Sequence, residues 1–204
     1  MIAVDTADVQ PNGIWVWLDP PEDVDSFFVN VDYDRTTLRV YRLMGPKPIH
    51  PEEGKVTFDA RRFSSKRVAL YSSLPMGVTH RTIHRRIAPV LRDFLSEDEM
   101  QLFPVSVRCK DATLDEFLAV IPLTETTCVD FEKSMFTSWI IPNEVTSGYK
   151  SVAFVPGALG GRHLTRESVT GLVLVSDSLK TALESTGGKG FHFVRDNDVP
   201  PYFN

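Results

Sequence analysis

Apolar and polar positions divide this chain into short runs, and the clearest pattern lies between Gly171 and Val194. Leu172 to Val175 is a short apolar, partly β-branched run of the kind that fills a buried strand. Ser176 and Asp177 follow, and either side chain suits a helix N-terminus, because its oxygen accepts an orphan backbone N–H of the first turn. Leu179, Ala182 and Leu183 then share one face at i, i+3, i+4 spacing, which predicts a short amphipathic helix. Gly187 and Gly188 provide a left-handed stop. Phe191 and Phe193 alternate with His192 and Val194 as a second strand. The stretch reads as strand–helix–strand and carries no chemistry of its own.

The same reading gives the rest of the chain. Ile14 to Leu18 (IWVWL) predicts a strand, broken by Asp19-Pro20-Pro21. Ser26 to Val31 and Leu38 to Leu43 predict two more, with a turn from Asp32 to Arg35 between them, and Val68 to Tyr71 a further short one. From Val78 to Leu95, Ile83, Ile87, Val90, Leu91 and Phe94 form a helical stripe with Arg81, Arg85 and Arg92 opposite. Pro89 lies inside that stripe and predicts a kink or two helices end to end. Phe103, Val105, Val107 and Cys109 alternate with Pro104, Ser106 and Arg108, a strand with one buried face. Pro104 places that strand at an edge, or itself near the strand's start. Glu116 to Leu123, Trp139 to Ile141 and Ser151 to Val155 complete the strands. Gly157 to Gly161 reads as a flexible loop, and the tail ending Pro200-Pro201-Tyr202 as loose.

Strands outnumber helices without strict βαβ alternation. The expected class is therefore α+β, with a mostly antiparallel sheet, two or three helices and a C-terminal strand–helix–strand unit. A chain of 204 residues suits one domain spanning 1–204. Gly45 to Gly54 contains Pro46, Pro48 and Pro51, and this loop (45–54) is where a β-rich N-terminal subdomain (1–50) would join the rest.

Composition adds limits. The 42% apolar and 24% charged content is that of an ordinary soluble globular protein, and the net charge of −5 disfavours a dedicated nucleic-acid binder. The N-terminus lacks the basic and apolar regions of a signal peptide, and no run reaches the roughly 20 apolar residues of a membrane span. A cytoplasmic protein is expected. Cys109 and Cys128, the only cysteines, read as two half-buried thiols on strands and not as a disulfide framework or zinc site.

Candidate chemistry is sparse. His80 and His84 stand at i, i+4, a spacing that suits a metal on a helix. Arg81, however, occupies the place of a zinc protease's glutamate, and nearby arginines repel a cation. Neither glycine-rich run continues into a phosphate loop. Ser72, Ser73, Ser134 and Ser176 lie outside any Gly-x-Ser-x-Gly elbow, and Asp130 with Ser134 suits capping or buried hydrogen bonding. No catalytic residue, cofactor or metal is expected. Charge is segregated instead. Asp19, Glu22, Asp23, Asp25, Asp32 and Asp34 form an acidic stretch without a base, interleaved with Phe27, Phe28 and Tyr33. From Ala60 to Arg92 come eight bases (Arg61, Arg62, Lys66, Arg67, Arg81, Arg85, Arg86 and Arg92) and no acid. The two stretches can also neutralise each other in the fold.

The run VSDSLKTALESTGGKGFHF (Val175 to Phe193) resembles the C-terminal signature of an immunity-protein family of bacterial polymorphic toxin systems, the eleventh of the numbered immunity families. Glu97 to Ser134 agrees, with LFPVSVR (Leu102 to Arg108) and CVDFEKS (Cys128 to Ser134). The resemblance covers about the C-terminal half and names no catalytic residue. It implies a non-enzymatic protein that binds one cognate toxin of a competing-bacteria system and neutralises it by occlusion. On that reading the acidic stretch is the expected partner-binding surface, a phosphate mimic if the toxin attacks nucleic acid. The alternative is a nucleic-acid-binding accessory or regulatory protein that uses the basic 61–92 segment.

Overall fold

The computed structural model describes residues 13–20, 27–76, 81–137 and 148–203. Three sheets organise them. The largest has the order β2 (Asn30–Val31), β3 (Thr57–Ala60), β6 (Met100–Cys109), β7 (Thr113–Pro122), β5 (Arg81–His84) and β4 (Ser73–Leu74). The second has the order β13 (His192–Val194), β1 (Ile14–Leu18), β12 (Val173–Ser176), β11 (Leu164–Glu167) and β8 (Glu125–Thr126). The third joins β14 (Tyr202–Phe203), β10 (Gly148–Ser151) and β9 (Met135–Phe136). Pairing is antiparallel except at β3–β6 and β8–β11. Three α-helices accompany them: α1 (Ser65–Val68), α2 (Ala88–Phe94) and α3 (Asp177–Ser185). The α+β class with mostly antiparallel sheets is the observed one.

Period-two alternation explains how the layers stack. Along β6, Phe103, Val105, Val107 and Cys109 are buried, and they join Phe58, Phe117, Ala119 and Ile121 in a first core. The intervening β7 residues Leu118 and Val120 point the other way, into a second core with Ile83, Ile87, Leu91 and Leu179. Trp17, Val173 and Val175 bring the second sheet onto that core. Ile14, Val16 and Leu174 face a third core with Tyr149, Val152 and Phe154. Strands β1, β7 and β12 are covered on both faces, so they read as apolar runs instead of alternations. Residues on both sides of the 45–54 loop, Leu38 and Leu43 before it and Val56 and Phe58 after it, share the first core.

The C-terminal unit forms as its punctuation predicts. Ser176 Oγ accepts from the Leu179 N–H at 3.2 Å, Leu179 and Leu183 are buried, and Gly187 takes the left-handed conformation at φ 63°. Between its two strands, however, the chain inserts β1, antiparallel to both, with Trp15 opposite Val175 and Trp17 opposite Phe193. The unit is thus a split βαβ whose gap is filled from the other end of the sequence.

Elsewhere tertiary pairing overrides local pattern. Leu38 to Leu43 is not a strand: Val40–Met44 is a 3-10 helix, and Arg42 ties it back by donating to both Glu53 carboxylate oxygens and to the Pro48 carbonyl. Val68 to Tyr71 closes α1, which Ser64 caps, and it contributes only an isolated bridge at Tyr71. The stripe from Val78 to Leu95 predicted a kinked helix. Arg81–His84 is instead strand β5, paired to β7, and a 3-10 turn (Arg85–Ile87) leads into α2. Pro89 sits in the first turn of α2, where its missing N–H costs nothing, so it starts a helix and does not kink one.

Pro104 lies on an internal strand, not an edge. It is tolerated because β3 joins β6 only from Ser106 onward, which leaves no strand on that side at Pro104. Strand β10 ends at Ser151 where Ser151 to Val155 was expected, and beyond it Phe154 makes only an isolated bridge to Val129. The tail is not loose: Tyr202 pairs with Tyr149. The Trp139 to Ile141 strand lies outside the described residues.

Candidate functional site

The acidic stretch divides. Asp19 follows β1 and accepts from Arg81 Nη1 at 2.8 Å, with the arginine side chain only 5% exposed. Burial pulls the Arg81 guanidinium below its usual range, and the Asp19 charge opposes this. His192, across from Leu18 in the β1–β13 pair, is held below the usual histidine value, chiefly by burial and next by the Arg81 charge. Glu22, Asp23 and Asp25 lie outside the described residues. Asp32 is buried at the head of its turn. Its carbonyl accepts from the N–H groups of Arg35 and Thr36, and its carboxylate stands 3.6 Å from Arg108.

Asp34 is exposed at the lip of an open groove of about 470 Å³ that Arg35, Lys55 and Arg108 also line. Beside it Tyr33 is 76% exposed, the most exposed large apolar side chain described. The structure therefore gathers Asp32 and Asp34 among cations, and commits Asp19 to the buried Arg81.

The basic segment also fails to form one face. Arg61 forks onto Asp59, lowering that carboxyl, and Arg67 lies over the Phe63 ring at 4.9 Å. Arg86 donates to the Ala69 and Leu70 carbonyls and to Ser72 Oγ. Arg81 faces inward, so the expected surface of Arg81, Arg85 and Arg92 does not exist. Arg85 and Arg92 alone remain exposed together, along a groove beside α2. His84 ends β5, where its Nδ1 accepts from the Arg86 N–H, and burial lowers its pKa. A strand terminus is not the helical face the i, i+4 spacing assumed, and His80 lies outside the described residues.

The cysteines are unpaired and fully buried, deeper than expected, and Cys128 lies outside any named strand. Burial pushes both thiols up to about 11, which keeps them protonated. Asp130 receives the N–H groups of Glu132 and Lys133, and Ser134 Oγ bridges the Ala153 backbone. Both roles are local and structural.

Sequence reading missed two polar arrangements. Glu167 is completely buried. Its carboxylate accepts from the N–H groups of Cys128, Val169 and Thr170 and from Thr170 Oγ1, which ties the CVDFEKS segment to the β11–β12 turn. The only local sign of this is Thr170-Gly171 three residues on. Trp15 Nε1 donates to Asp177, while Arg195 and Lys180 lie over the ring at 3.8 and 4.4 Å. These partners are so distant in sequence that spacing gives no hint of them. Among the described residues no three His, Cys, Asp or Glu side chains cluster as a metal ion requires, and no helix is long and apolar enough to cross a membrane. What the exposed groups offer chemically is recognition: charge, aromatic surface and apolar grooves.

A family model described as "Immunity protein family (Imm11)" matches residues 48–198, which reaches further toward the N-terminus than the C-terminal half that carried the resemblance. No curated protein matches the chain.

Proposed function

The chain belongs to the Imm11 immunity protein family, and from that premise we propose that it binds one cognate toxin inside the producing cell and neutralises it by covering the toxin's active site or substrate entry. Family membership across residues 48–198 is the observation that carries this reading. Occlusion requires complementarity and no catalytic group. DNase–immunity complexes show how tight such occlusion can be, with dissociation constants of about 10⁻¹³ M or below.

Within the acidic stretch, Asp34, with Tyr33 beside it, is the partner contact favoured by exposure, and Glu22, Asp23 and Asp25 join it on the ground of their charge in the sequence. Asp19 and Asp32 hold the frame. The charge of this stretch speeds encounter with a basic toxin groove. The matched region and the N-terminal strand β1 act as one domain, 1–204, with 45–54 as an internal loop.

The test is co-expression with the toxin encoded beside the chain, scoring growth and then purifying the pair. Growth rescue with a stable one-to-one complex is the expected result. Rescue without a complex would replace occlusion by repair or protection of the target, and no rescue would overturn the reading.

A further inference from the structure

The half of β6 that β3 leaves uncovered opens onto α2. Two adjoining grooves run along this seam, of about 330 and 420 Å³, and they share Arg92 and Leu102. Their floor is apolar: Leu95 and Met100 on one side, Pro104 on the other, with Leu102 half-buried between them. Arg85 and Arg92 flank it, both exposed, and among the described residues neither has a carboxylate within ion-pair distance. Glu97 is the single acid on the lining.

Two arginines over an apolar floor, without a carboxylate partner among the described residues and with only a long 3.5 Å donation from Arg85 to the Asp115 carbonyl, run against the sign of the whole chain, which carries −5. Most other arginines nearby are spent on internal contacts: Arg81 on Asp19, Arg86 on backbone carbonyls. Interfaces concentrate their binding energy in arginine and apolar anchors seated in such desolvating grooves. The lining contains no aromatic ring on which a base would stack, and the floor is apolar, so the chemistry suits protein over nucleic acid.

We propose that this α2–β6 groove anchors a short segment of the cognate toxin that carries acidic side chains beside apolar ones. The inference rests on the immunity reading above. It is separate from the acidic stretch, which speeds encounter, whereas the groove holds the partner once it has docked.

The test uses the full-length chain and a catalytically disabled form of the toxin encoded beside it, with binding followed at two salt concentrations. The double variant Arg85→Glu/Arg92→Glu is expected to weaken the complex by roughly tenfold or more, mainly through faster dissociation. Pro104→Glu, which sets an acid on the floor, is expected to act in the same direction. Because charge reversal beside a short helix also loads that helix, the neutral pair Arg85→Gln/Arg92→Gln provides a second reading, several-fold weaker with an unchanged melting temperature.

A wild-type chain that forms no complex would overturn the occlusion reading on which the groove rests. A wild-type complex that none of these variants weakens would overturn the groove alone. Retardation of a short DNA duplex at about 150 mM salt, lost in the arginine variants while the toxin complex is untouched, would overturn it in favour of nucleic acid.

Discussion

Asp19–Arg81 and Asp32–Arg108 are the same pairing of carboxylate and guanidinium in two settings. The first is direct, at 2.8 Å, with the arginine side chain 5% exposed. The second is loose, at 3.6 Å, and its burial is reversed, with the arginine 32% exposed and the carboxylate 6%. Both acids come from one stretch that looked uniform in sequence. Inside the protein a guanidinium has lost its water and depends on the partner, so removing either half leaves an uncompensated charge. In the second pair water reaches the arginine and replaces a lost Asp32 cheaply, while the buried Asp32 depends on Arg108 as Arg81 depends on Asp19. Position in the fold, not residue type, decides which acids are structural and which are left for a partner.

The largest test of this contrast is Arg81→Ala or Asp19→Ala, each expected to cost about 3–5 kcal/mol, read as a fall in the urea midpoint. The double replacement Asp19→Leu/Arg81→Met should recover most of that loss, because it removes both charges together. A double variant no better than the singles would show that the pair does more than cancel charge. Asp32→Asn, which leaves the part-exposed Arg108 to water, should cost only about 1 kcal/mol in the same measurement. A loss as large as that of Arg81 would erase the distinction. Asp34→Lys should leave the melting temperature unchanged and slow association with the toxin, most clearly at low salt.

The smallest effect is on pH. The His192 pKa lies below its unfolded value, so the unfolded chain binds the extra proton more readily. Its contribution to stability is present above the unfolded value of about 6.5 and is lost as pH falls through the folded one. His192→Gln should flatten that slope in urea titrations taken at successive pH values, and Arg81→Met should reduce it by removing the neighbouring charge.

How legible the molecule was follows from the same distinction. Ile14 to Leu18, β6 and β7 and the β12–α3–β13 unit could be read because local pattern and final environment agree there. Between Ile83 and Leu95 they disagree. Ile83, Ile87 and Leu91 enter the second core and Val90 and Phe94 pack against it, so the stripe found the right core-facing residues. It named the wrong element, because β7 offers Arg81 to His84 a ladder that outweighs helical spacing. The Asp19–Arg81 contact spans 62 residues and the Glu167–Cys128 contact 39, separations that no window along the chain contains. The α2–β6 groove was invisible for a related reason: it is defined by where β3 stops pairing, and a sequence does not show a missing neighbour.

The insertion of β1 between β12 and β13 bears on how the protein is made. Residues 14–18 leave the ribosome well before their neighbours, which both lie between residues 173 and 194. Until those follow, this tryptophan-bearing strand has neither of its partners. The six-stranded sheet, whose strands end at Pro122, has all its parts much earlier. The protein is thus built with an early sheet and a late one, and the late one closes only when residues 14–18 meet residues 173–194. Such long-range closure is slow, and it leaves an apolar segment exposed to chaperones in the meantime. A chain trimmed to the family-matched 48–198 would keep β12 and β13 and lose the strand that belongs between them.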